Sequence, residues 1–274
     1  MDTKIKAILF DIDGSIMKQG GPAIPETGRI FEELRSAGLK VGPATGKNAD
    51  YCRGLACGLG LSWDFISAET GAQFLVLLSE DPVAYKQKKA GSDCEDLAEF
   101  LRIIGYCQQR RTFKGPEGKV IEFRPELKEG IVTLFPPGTI LEITEQWKDY
   151  FEKVVDVFAL DLKIQRHSDG CIDVVPVTVS KTLGIRNVCS HLGIEPLNIL
   201  TVVDGANDYE LTQGSVRTIA VGNAQLPIKE AVAAKGQDGF QATGFYGQGF
   251  LEGLKHFARK EWFEERINTL ILGL

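Results

Sequence analysis

Hydrophobic and polar positions along the 274-residue chain fall into two rhythms. Ile5 to Phe10 is a short β-prone run that stops at Asp11, and Glu26 to Ala37 sets Ile30, Phe31 and Leu34 on one helical face. Gly38 to Ala44 reads as a second strand, Asn48 to Leu59 as a helix, and Phe65 to Ser67 as a third strand. Such β-α-β-α-β alternation predicts a parallel sheet. Near Ser79 the rhythm changes. A helix is expected over Asp93 to Ile104, strands over Lys119 to Phe123 and Ile131 to Phe135 joined by a turn at Glu129-Gly130, and a helix over Ile143 to Phe158. Strands Leu162 to Arg166 and Cys171 to Val175 follow, with Ser168-Asp169-Gly170 as their hairpin turn. After Pro176 the β-α alternation returns: a helix over Lys181 to Leu192, strands over Ile199 to Val203 and Thr218 to Val221, a short strand near Phe240, and a largely helical tail from Gly249 to Leu272.

The simplest organisation is one discontinuous parallel α/β domain, residues 1 to 80 and 176 to 274, interrupted by an α+β insert with an antiparallel sheet over 81 to 175. At 43% hydrophobic and 25% charged residues, the chain has the balance of a globular protein. Its 31 Lys and Arg against 37 Asp and Glu leave a formal charge of −6, so no global basic field exists to hold a nucleic acid. The most basic stretch, Gln108 to Lys114, reads as a solvated loop. Cys52, Cys57, Cys94, Cys107, Cys171 and Cys189 form no CxxC pair and no zinc-finger spacing with His167, His191 and His256, which suggests reduced structural thiols. No signal-peptide pattern and no run of about 18 apolar residues stands in the sequence, so the expectation is a cytoplasmic chain without a membrane partner.

The strongest chemical signal is Asp11-Ile12-Asp13-Gly14-Ser15, two carboxylates directly after an apolar strand. Buried carboxylates are costly unless paired or metal-bound, and the carboxyl end of a parallel strand is where open α/β sheets place ligands. Taken alone, the segment would also suit an Asx turn. Asp204-Gly205-Ala206-Asn207-Asp208 repeats the pattern after a second apolar strand, and hard oxygens at such spacing suit magnesium. The two clusters meet only if their strands are neighbours. Thr45-Gly46 ends another strand, where the N–H groups of the following helix could hold a phosphate or simply be capped. Lys181 opens the helix after the insert behind Ser180, a candidate N-cap; a cation there is mildly unfavourable unless something anionic lies near it.

The ordered set Asp11 to Ser15, Thr45-Gly46, Lys181 and Asp204 to Asp208 resembles the four motifs of the haloacid-dehalogenase-like phosphatases, over nearly the whole chain. An insert between the second and third motifs resembles the branch of Cof-type sugar phosphatases, archaeal phosphoglycolate phosphatases, sucrose-phosphate phosphatases and mannosyl-phosphoglycerate phosphatases. Ala68 to Ala72 and Val221 to Ala224 also resemble segments of that branch. The resemblance implies a Rossmann-like core with an inserted cap, and a Mg²⁺-dependent phosphatase working through an aspartyl-phosphate. It implies Asp11 as nucleophile and Asp13 as general acid and base. Ile12, Thr45, Gly46, Lys181 and Asn207 would hold the phosphoryl group. Asp11, Asp13 through its backbone carbonyl, and Asp204 would hold the metal, with Asp208 as a ligand through water or as the orienter of Lys181. Ser15, Val203 and Lys47 stand where the family favours threonine, glycine and arginine, and lysine lacks arginine's bidentate fork.

The implied substrate is a small phosphorylated metabolite, a sugar phosphate or a phosphoglycolate-like acid, and the chain would be a monomer or homodimer. Arg124, Arg166 and His167 of the insert are candidates for the leaving group, although each also suits local pairing. Trp147 and Phe151, four apart, read as a core-facing pair rather than a sugar platform, and Trp262 and Phe263 as packing on the domain or at a dimer contact. The rival readings are a phosphomutase of the same superfamily and a non-catalytic phospho-acceptor or metabolite-binding protein.

Overall fold

A computed structural model describes residues 3–22, 25–78, 85–89, 95–106, 112–114, 120–122, 128–135, 141–167 and 170–274. The chain divides into two compact units, one formed by Met1–Lys88 with Ser180–Leu274 and the other by Lys89–Val179.

The discontinuous unit is built on strands whose residues are apolar on both faces. Strand β1 (Ala7–Phe10) is wholly buried, as a parallel strand covered on two sides must be. Helix α1 (Pro25–Ser36) then buries Ile30, Phe31 and Leu34, and β2 (Lys40–Pro43) returns parallel to β1 with Phe10 opposite Pro43. Helix α2 (Ala49–Gly58) is capped by the Asn48 side chain, which accepts from the Tyr51 N–H. The ring of Phe10 stacks on Phe31 at 4.6 Å, and Trp63 meets both rings edge-on. Trp63 is fully buried with its indole N–H donating to the Cys52 carbonyl, so it is a core residue.

Strand β3 (Phe65–Ala68) departs from the expected pattern. It runs beside β2 through a parallel bridge between Ala44 and Ser67, but its ladder is antiparallel, with β4 (Gln73–Leu77), and β5 (Tyr85–Lys89) completes that three-stranded sheet. Strands β4 and β5 were not expected. The reversal between β3 and β4 uses positive φ at Glu69 and Thr70 as well as at Gly71, and only the glycine is a recognisable turn residue in sequence. Because β5 belongs to this sheet, the first crossing lies after Lys88 rather than at residue 80.

The inserted unit carries helix α3 (Glu95–Ile103), strands β6 (Thr112–Lys114), β7 (Val120–Glu122) and β8 (Val132–Leu134), helix α4 (Leu141–Val157), and strands β9 (Leu162–Arg166) and β10 (Ile172–Pro176). Strand β10 lies between β8 and β9, antiparallel to both. Among the described residues the expected hairpin of β7 with β8 does not form. Strand β7 pairs instead with β6, inside the stretch read as a solvated loop, and nothing local in a short strand selects its partner. Ile172 and Val174 of β10, Leu134 of β8, Phe100 of α3 and Trp147 with Phe151 of α4 form one buried cluster, so the aromatic pair is core as expected. Gln108 to Arg111, Cys94, Cys107, Arg124, Ser168 and Asp169 lie outside the described residues.

After the insert come helix α5 (Lys181–Leu192), strand β11 (Ile199–Val203), a 3-10 turn over Ala206–Thr212, strand β12 (Arg217–Ala220), helix α6 (Leu226–Ala233), strand β13 (Gly239–Gln241), and helices α7 (Gly247–Arg259) and α8 (Glu265–Gly273). Strand β11 pairs in parallel with β1, giving a five-stranded sheet of order β13-β12-β11-β1-β2. Helix α6 was missed because it buries only Ile228 and Val232, too thin a stripe to show in the pattern. Trp262 stacks on Phe257 at 5.3 Å beneath the Arg217 guanidinium, and Phe263 is fully buried, so this end of the chain packs on its own unit. Among the described residues no helix is long and apolar enough to cross a membrane.

Candidate active site

The register of β1 against β11 brings the two acidic clusters together. Phe10 lies opposite Val202 and the Asp11 N–H donates to the Val202 carbonyl at 3.0 Å, so the chain leaves both strands at one sheet edge. Asp11 is buried there, and carboxylate oxygens of Asp11, Asp204 and Asp208 all lie within 4.8 Å of one another.

Lys181 supplies the charge that such a cluster requires. It begins α5, whose N-cap Ser180 accepts from the Leu183 N–H, and its own N–H donates to the Glu210 carboxylate at 2.7 Å. Its side chain is 1% exposed, with Nζ 2.7 Å from Asp11 Oδ1 and hydrogen-bonded to Asp208 Oδ1. The other oxygen of Asp208, Oδ2, accepts from the N–H groups of Asp204 and Gly205 at 3.1 and 3.3 Å. Asp208 therefore fixes both the ammonium group and the loop that carries Asp204. Ser15 donates to Asp204 Oδ1 at 2.9 Å, tying the first acidic segment to the second.

One ammonium does not neutralise three carboxylates. Burial, then the Asp208 charge, holds the Asp11 carboxyl well above the ordinary range despite the attraction of Lys181. The same two causes push Asp204 up to about 7. For Lys181 burial works against the charged form, yet the Asp11 and Asp208 carboxylates outweigh it and raise its pKa. The pocket thus carries an excess of negative charge on hard oxygen donors. A small divalent cation, which takes one or two carboxylates and completes its shell with water or phosphate oxygens, fits that donor set.

Ile12, Asp13, Thr45, Gly46 and Asn207 belong to the same compact unit as this centre. Thr45 is buried two residues beyond Pro43, the partner of Phe10, and its hydroxyl accepts from the Lys47 N–H at 3.2 Å. Gly46 follows it at the open end of β2. Ile12 is fully buried. Asp13 is partly exposed and pairs with Lys47, Nζ to Oδ2 3.3 Å. Asn207 is exposed, with its amide oxygen close over Gly205. Arg166 of the inserted unit pairs with Glu145 at 2.9 Å, and His167 with Asp173.

Gly14 makes the junction possible. It has φ +90°, and a Cβ there would lie 2.1 Å from Asp204 Oδ2. Gly14→Ala is therefore expected to cost about 1–3 kcal/mol of stability and to displace the Asp204 carboxylate. A lower denaturant midpoint would record the strain; a midpoint equal to that of the parent would contradict the packing.

The family model for sucrose-6F-phosphate phosphohydrolase matches residues 142–258. A Streptococcus pyogenes protein named as a bifunctional phosphatase/peptidyl-prolyl cis-trans isomerase is 26% identical over 259 residues, covering 83% of this chain and 50% of that protein. The chain thus spans half the length of that relative. A phosphoglycolate phosphatase of Methanopyrus kandleri is 26% identical over 223 residues, covering 81% and 86% of the two chains. In fold, a haloacid dehalogenase-like hydrolase from Bacteroides thetaiotaomicron matches with a TM-score of 0.68 at 15% identity, covering 91% of this chain and 98% of that one. The chain is thus similar, in part of its sequence and in its fold, to phosphatases and hydrolases of the haloacid-dehalogenase-like kind.

Around this site, three supporting residues escape a reading of the four motifs. Glu210 accepts from the Lys181 N–H, and the Gln225 side chain accepts from the Ala206 N–H at 3.2 Å while its backbone N–H reaches the Asp204 carbonyl. Asn223 donates to the Gly14 carbonyl at 2.7 Å and accepts from the Tyr246 N–H. The Val221 to Ala224 segment was the one sequence signal pointing to Asn223. Glu210 and Gln225 act on backbone groups, and no side-chain motif announces that.

Proposed function

We propose that this chain is a Mg²⁺-dependent phosphomonoesterase acting on a small phosphorylated metabolite, a sugar phosphate or a phosphoglycolate-like acid. The observation that carries the reading is Lys181, buried and bridging Asp11 to Asp208 within a cluster of carboxylates at adjacent strand ends. Phosphoryl transfer needs a positioned nucleophile and neutralisation of charge on the equatorial oxygens, and this arrangement suits both needs.

In this reading an Asp11 carboxylate oxygen bonds to phosphorus as the ester bond to the leaving oxygen breaks, and Asp13 gives that oxygen its proton. Asp13 then takes a proton from the water that attacks phosphorus and releases inorganic phosphate from Asp11. Lys181, Thr45, Asn207 and the backbone at Ile12 and Gly46 hold the phosphoryl oxygens. Asp208 keeps Lys181 and the Asp204 loop in register. Asp11, Asp204 and the Asp13 carbonyl would hold Mg²⁺, which when bound supplies positive charge to the phosphoryl oxygens and favours ionised Asp11. We assign selection of the leaving group to the inserted unit.

The names of the relatives direct the choice of substrates: phosphoglycolate for the Methanopyrus protein and sucrose phosphate for the family model. The test is phosphate release from sugar phosphates, phosphoglycolate and glyceryl phosphates, with Mg²⁺ and with chelator. Release from one or a few compounds, lost on chelation and restored by Mg²⁺, is the expected result. Positional isomerisation without net phosphate would turn the assignment to a mutase, and release indifferent to chelator would remove the metal from it.

A further inference from the structure

The inserted unit carries a second cluster of donors, unlike the first in chemistry. Ligating atoms of His167, Cys171 and Asp173 lie within 4.8 Å of one another. Strand geometry explains why. Ile172 is opposite Arg166, so His167 and Cys171 are the next cross-strand positions, closed by a His167 N–H to Cys171 carbonyl bond of 2.9 Å. Side chains alternate along a strand, so Cys171 and Asp173 share a face, while Ile172 and Val174 turn the other way into the core cluster. The directly opposed His167 joins them on that face.

On its Oδ1 side the Asp173 carboxylate is held by one protein cation and one hydroxyl. Asp173 is 2% exposed; its Oδ1 accepts from the Thr133 hydroxyl and lies 3.7 Å from the buried Lys128 ammonium, which itself donates to the Thr133 hydroxyl at 2.5 Å. Its Oδ2 faces His167 Nε2 at 2.9 Å. Oδ1 is thus anchored by groups that orient the carboxylate, while Oδ2, the imidazole and the buried thiol converge. Ligating carboxylates are commonly supported through their second oxygen in this way.

We propose that His167, Cys171 and Asp173 form a metal site for a borderline divalent cation of the zinc class. The donors are nitrogen, sulfur and oxygen, a set that magnesium does not select and that tetrahedral zinc accepts, with a fourth position left for water. On binding, the Cys171 thiol loses its proton to solvent and the sulfur, the imidazole and Asp173 Oδ2 donate to the metal. Thiolate and carboxylate together exceed the single positive charge of Lys128, so the site remains attractive to a cation. The site belongs to the inserted unit and differs in chemistry from the carboxylates of Asp11 and Asp204, and it does not depend on the proposed hydrolysis.

Cobalt(II) titrated into the reduced whole chain tests it without any enzyme assay. The expected result is one equivalent giving a thiolate-to-cobalt charge-transfer band in the near ultraviolet with tetrahedral visible bands, both displaced by zinc. The band should persist in Asp11→Asn, where the other acidic site is altered, and vanish in Cys171→Ser and in His167→Asn. Thr133→Val, which keeps all three ligands, should weaken cobalt affinity about 10- to 100-fold. Zinc should raise the melting temperature of the parent chain and not of Cys171→Ser. Should the cysteine or histidine variant fail to fold, the Thr133→Val shift decides the matter. Absence of the charge-transfer band in the parent, or its survival in folded Cys171→Ser, would overturn the proposal and leave the His167 to Asp173 contact as a hydrogen bond closing the hairpin.

Discussion

Asp11→Asn is expected to lower turnover by at least about a thousandfold while leaving the melting temperature unchanged or higher. The two halves of that expectation come from the same crowding. As the proposed nucleophile, Asp11 is not replaced by Asp208, which is committed to Lys181 and to two backbone N–H groups. An amide in its place has nearly the shape of the acid but no charge. Burial and the neighbouring Asp208 already disfavour ionised Asp11, so removing that charge relieves repulsion among the carboxylates. Phosphate release and thermal melting on the same purified variant check both halves. Turnover within tenfold of the parent would sink the nucleophile assignment, and a large fall in melting temperature would contradict the charge excess.

Lys181→Met should be the mirror case, losing activity and stability together. The methionine fills much of the lysine stem's volume, but Asp11 and Asp208 then face each other without the ammonium that bridges them. Breaking a fully buried pair by removing one partner costs about 3–5 kcal/mol, which for a unit of this size lowers the melting temperature by on the order of 10 °C. Turnover should fall by about a hundredfold or more, because the proposed mechanism uses Lys181 to hold the phosphoryl oxygens. Lys181→Arg should rescue stability in part and activity poorly, since the guanidinium fork does not reproduce a compact point charge between two carboxylates. The decisive comparison is the sign of the melting shift: down for Lys181→Met, flat or up for Asp11→Asn. Equal and opposite behaviour to this would mean that Lys181 is not the counter-charge of the site.

Much of the fold is legible along the chain because its strong elements carry local signals. Strand β1 is an unbroken apolar run, α5 begins behind a capping serine and ends before a left-handed glycine, and the β9 to β10 hairpin follows its turn glycine. These are short-range effects of burial, capping and turn chemistry. The errors lie where partners are chosen at a distance. Strand β7 took β6 instead of β8, and β8 went to β10, because a three-residue strand presents almost the same backbone edge to any neighbour. The β3 to β4 reversal was hidden by two non-glycine residues held at positive φ, Glu69 and Thr70.

At the site, the types and order of the reactive side chains stand in the sequence: Asp11, Asp13, Thr45, Lys181, Asp204 and Asp208 each follow or open a recognisable element. Their meeting does not. It depends on β11 lying beside β1 in a register that sets Val202 against Phe10, and on Lys181 reaching across to both carboxylates. The sequence by itself determined which groups are present and that two acidic clusters leave apolar strands. Only the tertiary structure decided that Asp208 spends its oxygens on Lys181 and the Asp204 loop, that Lys47 pairs with Asp13, and that His167, Cys171 and Asp173 share a sheet face. Local patterning acts through neighbours a few residues apart, whereas charge neutralisation and donor convergence act through space, between groups that strand pairing alone makes adjacent.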